Sequence, residues 1–242
     1  MSLVKTEVEA KLEASAQRRA PRPEPRSLIE QALQGLRADI LHGHLPAGSK
    51  LPIEEIKARY QVSGGTLREA LSLLVAEGLV KAQAQRGFQV APMSLEDMRD
   101  LGRTRALLEG EAVRLSVLHG DVEWEVRLVG AFHRLSLVEE RTMRDPVQWF
   151  DEWEQNNHAF HETLTSACPS TWMLRFIGVL YVQMERYRRY TSTHNPPERN
   201  VHEEHRALLD SALSRDADRC AELLRAHIES SIAVAAHVGA LR

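Results

Sequence analysis

From residue 93 onward the apolar residues recur every three or four positions, and no stretch alternates polar with apolar. That period lays an apolar stripe along one face of an α-helix. Breaks of Gly, Pro, Asn or Asp divide the region into six helices, near 95–119, 122–143, 146–167, 170–193, 197–214 and 216–238. A segment of this length can bury its own core, so residues 93–242 are expected to form an all-α bundle.

Ahead of the bundle the pattern differs. Ser27 can N-cap a helix carrying Leu28, Ile29, Ala32, Leu33, Leu36 and Ile40, which Gly43, Pro46 and Gly48 stop. A second helix fits Ile53 to Tyr60, followed by a tight turn at Gln61-Val62-Ser63. A third fits Gly64 to Glu77, with Leu67, Ala70, Leu71 and Leu74 on one face and Gly78 as its C′ residue. Leu79–Ala82 and Gly87–Val90 suit two short strands, with Arg86-Gly87 at the end of a Gln-rich turn, and Pro92 closes the unit. Helix, helix, turn, helix, hairpin over 27–92 is the order of a winged helix-turn-helix. A three-helix bundle with a hairpin and no partner shows the same pattern. The fold class is therefore mostly α, a winged helix-turn-helix followed by a helical bundle. Residues 1–26 end in AQRRAPRPEPR, whose prolines and charges cannot pack; they suit a flexible tail, either a linker or an arm touching phosphates.

Composition narrows the class further. A hydrophobic content of 43% with 27% charged residues is ordinary for a soluble chain, and 5% aromatic residues argue against a turn-rich all-β protein. The net charge of −3 hides a gradient: 18 Lys/Arg against 24 Asp/Glu after residue 92, and every lysine before residue 82. Such asymmetry suggests different partners for the two halves. No apolar run is long enough for a transmembrane helix and no secretory signal opens the chain, so a cytoplasmic protein without membrane partners is expected. Cys168 and Cys220 are not spaced as metal ligands and suit buried thiols in a reducing compartment.

Ile40-Leu-His-Gly-His-Leu-Pro-Ala-Gly48-Ser-Lys-Leu51, Val62-Ser63, Leu67-Arg68-Glu69-Ala70-Leu71, Glu77-Gly78-Leu79-Val80 and Arg86-Gly87-Phe88-Gln89-Val90 together resemble the GntR family of bacterial transcription regulators. The resemblance implies double-stranded operator DNA as a partner. Arg68 matches the family's recognition-helix arginine, whose guanidinium can grip guanine or a phosphate bidentately. The competing role for Arg68 is a salt bridge with Glu69 or Glu55. Ser63 and Thr66 bring hydroxyls to the helix start, and Arg86 and Gly87 sit at the wing tip. The family usually has an arginine directly after the serine. This chain has Gly64-Gly65 instead, which removes a base-reading side chain and costs helix stability, about 1 kcal/mol per glycine.

The opening of the bundle, Arg105-Ala-Leu-Leu-Glu109 with Ala112 and Leu115, resembles the FCD domain, the ligand-binding half of FadR-like GntR regulators. Six helices match the smaller, VanR-like subgroup. Asn157-His-Ala-Phe160-His161-Glu-Thr-Leu164 resembles the FCD metal motif, with Asn157 and His161 four apart on one helix face. His205 lies on the apolar face of the fifth helix with Val201, Leu208 and Ala212, and His227 on that of the sixth with Leu223, Leu224 and Ile228. The resemblance implies one divalent ion, Zn, Ni or Mn, held by Asn157, His161, His205 and His227, although each histidine alone also suits a satisfied core residue. Asn157 replaces the commoner Asp and brings no charge. His158 and His202 are expected as exposed neighbours. Arg105 would face the pocket and hold a carboxylate effector, or else pair with Glu109 at i+4. Tyr181, Tyr187, Arg188 and Trp172 on the fourth helix are further pocket candidates.

An enzyme is not expected. HExxH, paired Glu-x-x-His, GxSxG and a phosphate-cradling glycine loop are all missing from the sequence, which speaks against a metal-dependent hydrolase. A metal-free interaction bundle would leave the histidines on apolar faces unexplained. The expectation is a ligand-responsive repressor that binds its operator as a homodimer and senses a small carboxylate.

Overall fold

The computed structural model describes residues 27–194 and 200–237. The expected tail over 1–26, the start of the fifth bundle helix at 197 and the end of the sixth at 238 lie outside the described residues.

The first unit comprises α1 (Leu28–Leu41), β1 (Lys50–Leu51), α2 (Ile53–Tyr60), α3 (Gly64–Ala76), β2 (Val80–Gln83) and β3 (Gly87–Val90). Ser27 caps α1 reciprocally: its hydroxyl accepts from the Glu30 amide at 3.2 Å, and the Glu30 carboxylate accepts from the Ser27 amide at 3.0 Å. Gly78 follows α3 with φ +74°, and Leu79 N–H returns to the Leu74 carbonyl at 3.0 Å, so the glycine closes a left-handed cap. The antiparallel sheet runs β1-β3-β2, with Lys50 opposite Gln89 and Val80 opposite Val90. The sequence suggests only the hairpin. β1 is two residues long, too short for a visible alternation, and is held because Leu51 buries its side chain against Leu67, Leu71 and Val90 in one cluster.

The bundle comprises α4 (Leu95–His119), α5 (Val122–Thr142), α6 (Pro146–Thr165), α7 (Thr171–His194), α8 (Val201–Leu213) and α9 (Ala217–His237). Helix α4 runs through the centre and packs on α9 and α7, while α5 packs on α6 and α8. Gly102 marks how closely α4 and α9 cross, because a Cβ there would meet Ile232 Cδ1 at 1.9 Å. The main core joins Val113, Trp124, Leu128, Phe160, Leu208 and Leu224 from five helices. Among the described residues no helix is long and apolar enough to cross a membrane. Cys168 and Cys220 are buried free thiols, as expected.

Helix α7 also joins the two units. Val182 packs on the winged-helix core, Gln183 donates to the Glu77 carbonyl at the end of α3, and Arg186 donates to the Ala91 carbonyl at 2.6 Å. From α6, Asp151 meets His42 at 3.3 Å.

Trp124 is the largest fully buried side chain, and its indole N–H donates to the Thr163 carbonyl at 2.8 Å. Truncation leaves a large void, so Trp124→Ala should lower unfolding free energy by about 3–5 kcal/mol in urea titrations followed by circular dichroism. A loss below about 1 kcal/mol would contradict this packing.

Candidate functional site

Three helices bring imidazoles to one point. His161 of α6, His205 of α8 and His227 of α9 offer nitrogens that all lie within 4.8 Å of one another. Their ring centroids are 5.3, 5.1 and 4.8 Å apart for the pairs 161–205, 161–227 and 205–227. Each occupies the apolar stripe of its helix, so burial of the stripe carries the ring inward. His161 and His205 are buried, and the side chain of His227 is 10% exposed.

Carboxylates fix two of the rings from behind. His205 Nδ1 meets Glu139 Oε1 of α5 at 2.6 Å, and His227 Nδ1 meets Glu204 Oε2 at 2.8 Å. A carboxylate on Nδ1 holds the proton there and leaves Nε2 with its lone pair. Glu139 also takes His202 Nδ1 at 2.7 Å. His205 Nε2 and His161 Nδ1 are buried without a hydrogen-bond partner. Burial, and then the charges of His227, His205, Arg105 and Arg188, hold the His161 pKa well below its ordinary value, so the ring stays neutral. Two buried nitrogen lone pairs without donors beside a third imidazole are the donor set a divalent ion of borderline softness takes. The residues present therefore fit a metal.

Asn157 lies one turn before His161 and lines the same cavity of about 40 Å³, with Arg105, Tyr181 and Arg188. Its Nδ2 donates to the Tyr181 hydroxyl at 2.7 Å, which leaves the side-chain oxygen as the possible ligand atom. Both expected roles of Arg105 occur together: it lines the cavity and makes a buried fork with Glu109, at 2.6 and 3.1 Å. Arg188 makes the same fork with Glu154. Both guanidiniums lie over the Tyr181 ring, at 5.3 and 4.3 Å from its centroid. Trp172 is instead 63% exposed, and Tyr187 donates to Asp97 at 2.6 Å, near the interdomain junction.

His158 and His202 are not exposed neighbours as expected. His158 is half-buried and stacked on Tyr181 at 4.3 Å, and His202 is half-buried on Glu139. A helical wheel places them off the apolar face, but α7 and α5 cover that side too. Sequence reasoning missed Glu139, Glu204 and Glu154. Each stands tens of residues from the group it holds, except that Glu204 adjoins His205, the one local signal available.

In the first unit, Arg68 is exposed and its guanidinium makes no ion pair with Glu69 or Glu55. Ser63 is the N-cap of α3: its hydroxyl accepts from the Thr66 amide at 3.1 Å and lies 2.9 Å from the Thr66 hydroxyl. Gly64 and Gly65 are both helical. A Cβ on Gly64 would meet nothing within 4 Å, and one on Gly65 only Ser63 Oγ at 3.7 Å, so packing does not demand either glycine. Arg86 and Gly87 stand at the hairpin tip, with Gly87 at φ +85°.

Comparison with known proteins agrees with this layout. Residues 28–90 match the bacterial regulatory proteins of the gntR family, and residues 100–230 match the FCD domain. The HTH-type transcriptional regulator BphR of Paraburkholderia xenovorans (strain LB400) is 67% identical, over 90% of this chain and 89% of its own. The HTH-type transcriptional repressor GlaR of Escherichia coli (strain K12) is 34% identical, over 82% of this chain and 91% of its own. The solved structure of E. coli McbR/YncC superposes with a TM-score of 0.72 at 22% identity, over 88% of this chain and 99% of that one, and shares the fold.

The Arg105–Glu109 pair lies inside the bundle with side chains 6% and 2% exposed. Removing one partner leaves an uncompensated buried charge. Glu109→Ala should cost about 3–5 kcal/mol, and Arg105→Met with Glu109→Leu distinctly less. Chemical denaturation compares them, and a single variant no worse than the double would contradict the pairing.

Proposed function

The chain belongs to the GntR family of bacterial transcription regulators and carries an FCD domain, and on that premise we propose a repressor that grips operator DNA as a homodimer and senses a small carboxylate beside a bound metal. Members of this family are regulators of transcription and not enzymes. Residues 27–92 are the DNA-binding domain and 93–242 the effector-binding and dimerisation domain. The protein acts where its DNA is, in the cytoplasm.

Helix α3 enters a major groove, with Arg68 on base edges or phosphate. Its exposure without an ion pair supports this role over the structural one. Ser63 and Thr66 cap the helix, and their neighbouring backbone amides suit a phosphate. Gly64 and Gly65 let the duplex backbone approach this end closely, since no side chain stands between. Arg86 and Gly87 reach the flanking backbone or minor groove.

Asn157, His161, His205 and His227 would hold the ion, with Zn, Ni or Mn suited to a set rich in imidazole. Such an ion would supply a point of attachment for a carboxylate oxygen. Arg105 has committed Nε and Nη2 to Glu109, so Nη1 remains for the effector's second oxygen. The neutral hydroxyl of Tyr181, its pKa raised by burial, offers a further hydrogen bond.

The observation that carries the reading is the double duty of α7. Tyr181 and Arg188 line the histidine pocket, while Val182, Gln183 and Arg186 hold the end of α3 and the close of the wing. An effector that favours one position of α7 thereby favours one position of the DNA-reading helix. The coupling equals the difference in its affinity for the two arrangements.

Two measurements test this reading. Duplexes selected from random DNA by the full chain should bind Arg68→Ala at least tenfold more weakly, as loss of one bidentate contact implies. Unchanged affinity would contradict the assigned interface. In chelator competition, Glu139→Gln should weaken zinc binding about 10- to 100-fold, the usual effect of removing the carboxylate behind a ligand histidine. An unaltered zinc affinity would place the ion elsewhere.

A further inference from the structure

The cavity around the three histidines is about 40 Å³, room for an ion and a few waters. A second cavity, of about 170 Å³, adjoins it, and His161 and Tyr181 line both. Leu174, Ile177 and Gly178 of α7 form one side of this larger space.

Apart from His161, shared with the histidine cluster, and Glu162, which is exposed, the polar groups of its walls are engaged. Glu109 is forked to Arg105. The Thr165 hydroxyl donates to the His161 carbonyl at 3.1 Å, and the Ser166 hydroxyl to the Thr163 carbonyl at 2.8 Å. His158 lies flat against Tyr181 and extends an aromatic slab along the wall. Walls with satisfied polar groups offer a guest contact area rather than hydrogen bonds. An apolar cavity of about 150 Å³ accommodates a benzene ring.

We propose that this second cavity holds the apolar, ring-sized end of the effector, while its acid end lies on the histidine side of Tyr181. The effector class is then a monocarboxylate bearing an aryl group, or an alicyclic group of that size, a few bonds from the acid. The inference rests on the carboxylate reading for its acid end only. The apolar compartment stands on the cavity itself. Tyr181, tethered through its hydroxyl to Asn157, divides the two compartments and contacts both ends of the ligand.

The test uses the full chain supplemented with zinc, titrated calorimetrically with acetate, benzyl alcohol and 3-phenylpropanoate. Gly178 is an exposed lining residue and a Cβ there meets nothing within 4 Å, so Gly178→Leu adds bulk at the cavity's mouth without a clash in α7, and Leu174→Phe adds bulk independently. The expected result is that 3-phenylpropanoate binds at least tenfold tighter than acetate, and that either filling variant removes this advantage while acetate binding stays unchanged. Benzyl alcohol and 3-phenylpropanoate binding alike, both lost in Gly178→Leu, would uphold the apolar compartment and refute the carboxylate reading alone. If the ring brings no gain over acetate and benzyl alcohol does not bind, or if the gain survives both filling variants, the proposal is overturned.

Discussion

Imidazole nitrogens buried in a helical bundle need partners, and α5 and α8 supply carboxylates to three of the rings. An unpaired buried polar group costs free energy that a bundle of marginal stability does not easily spare. Glu139 of α5 takes His205 and His202, and Glu204 of α8 takes His227 of α9. What remains is His205 Nε2 and His161 Nδ1, beside the ring of His227. Histidines there fit the proposed metal site, and their unpaired buried nitrogens cost stability.

The same economy shapes the cation-rich side of the pocket. Arg105 and Arg188 are both buried against Tyr181, and each is neutralised by its own carboxylate, Glu109 or Glu154. The pocket therefore holds guanidinium groups in fixed orientation without excess charge. The bidentate fork to its own carboxylate fixes each guanidinium plane and leaves Nη1 as the nitrogen not taken by that fork. Arg188 belongs to the helix that touches the winged unit, so the polar lining and the interdomain contacts are parts of one rigid element.

Much of this was legible in the sequence, for a physical reason. Leu67, Ala70, Leu71 and Leu74 disclose α3 because its partners lie along one face, and Ser27 and Gly78 disclose helix ends because caps are local. The bundle helices 95–119, 122–142 and 146–165 lie within two residues of the expected bounds. His161, His205 and His227 converge because each shares an apolar stripe with core leucines. Strand β1 was not legible, because two residues show no alternation and its partner β3 lies nearly 40 residues away. Nor were Glu139 or the Arg188–Glu154 fork, whose partners are 63 to 66 and 34 residues away. The second cavity is a vacancy among side chains of three helices, which no spacing rule encodes.

The central claim is that the histidine cluster holds a divalent ion, and the direct measurement is the metal content of the full chain purified without chelator or a metal-binding tag. The account predicts about one Zn, Ni or Mn per chain, removed by prolonged dialysis against a chelator and restored by adding the same ion back. A chain that carries no divalent ion as purified, and takes up none when all three are supplied, would contradict it.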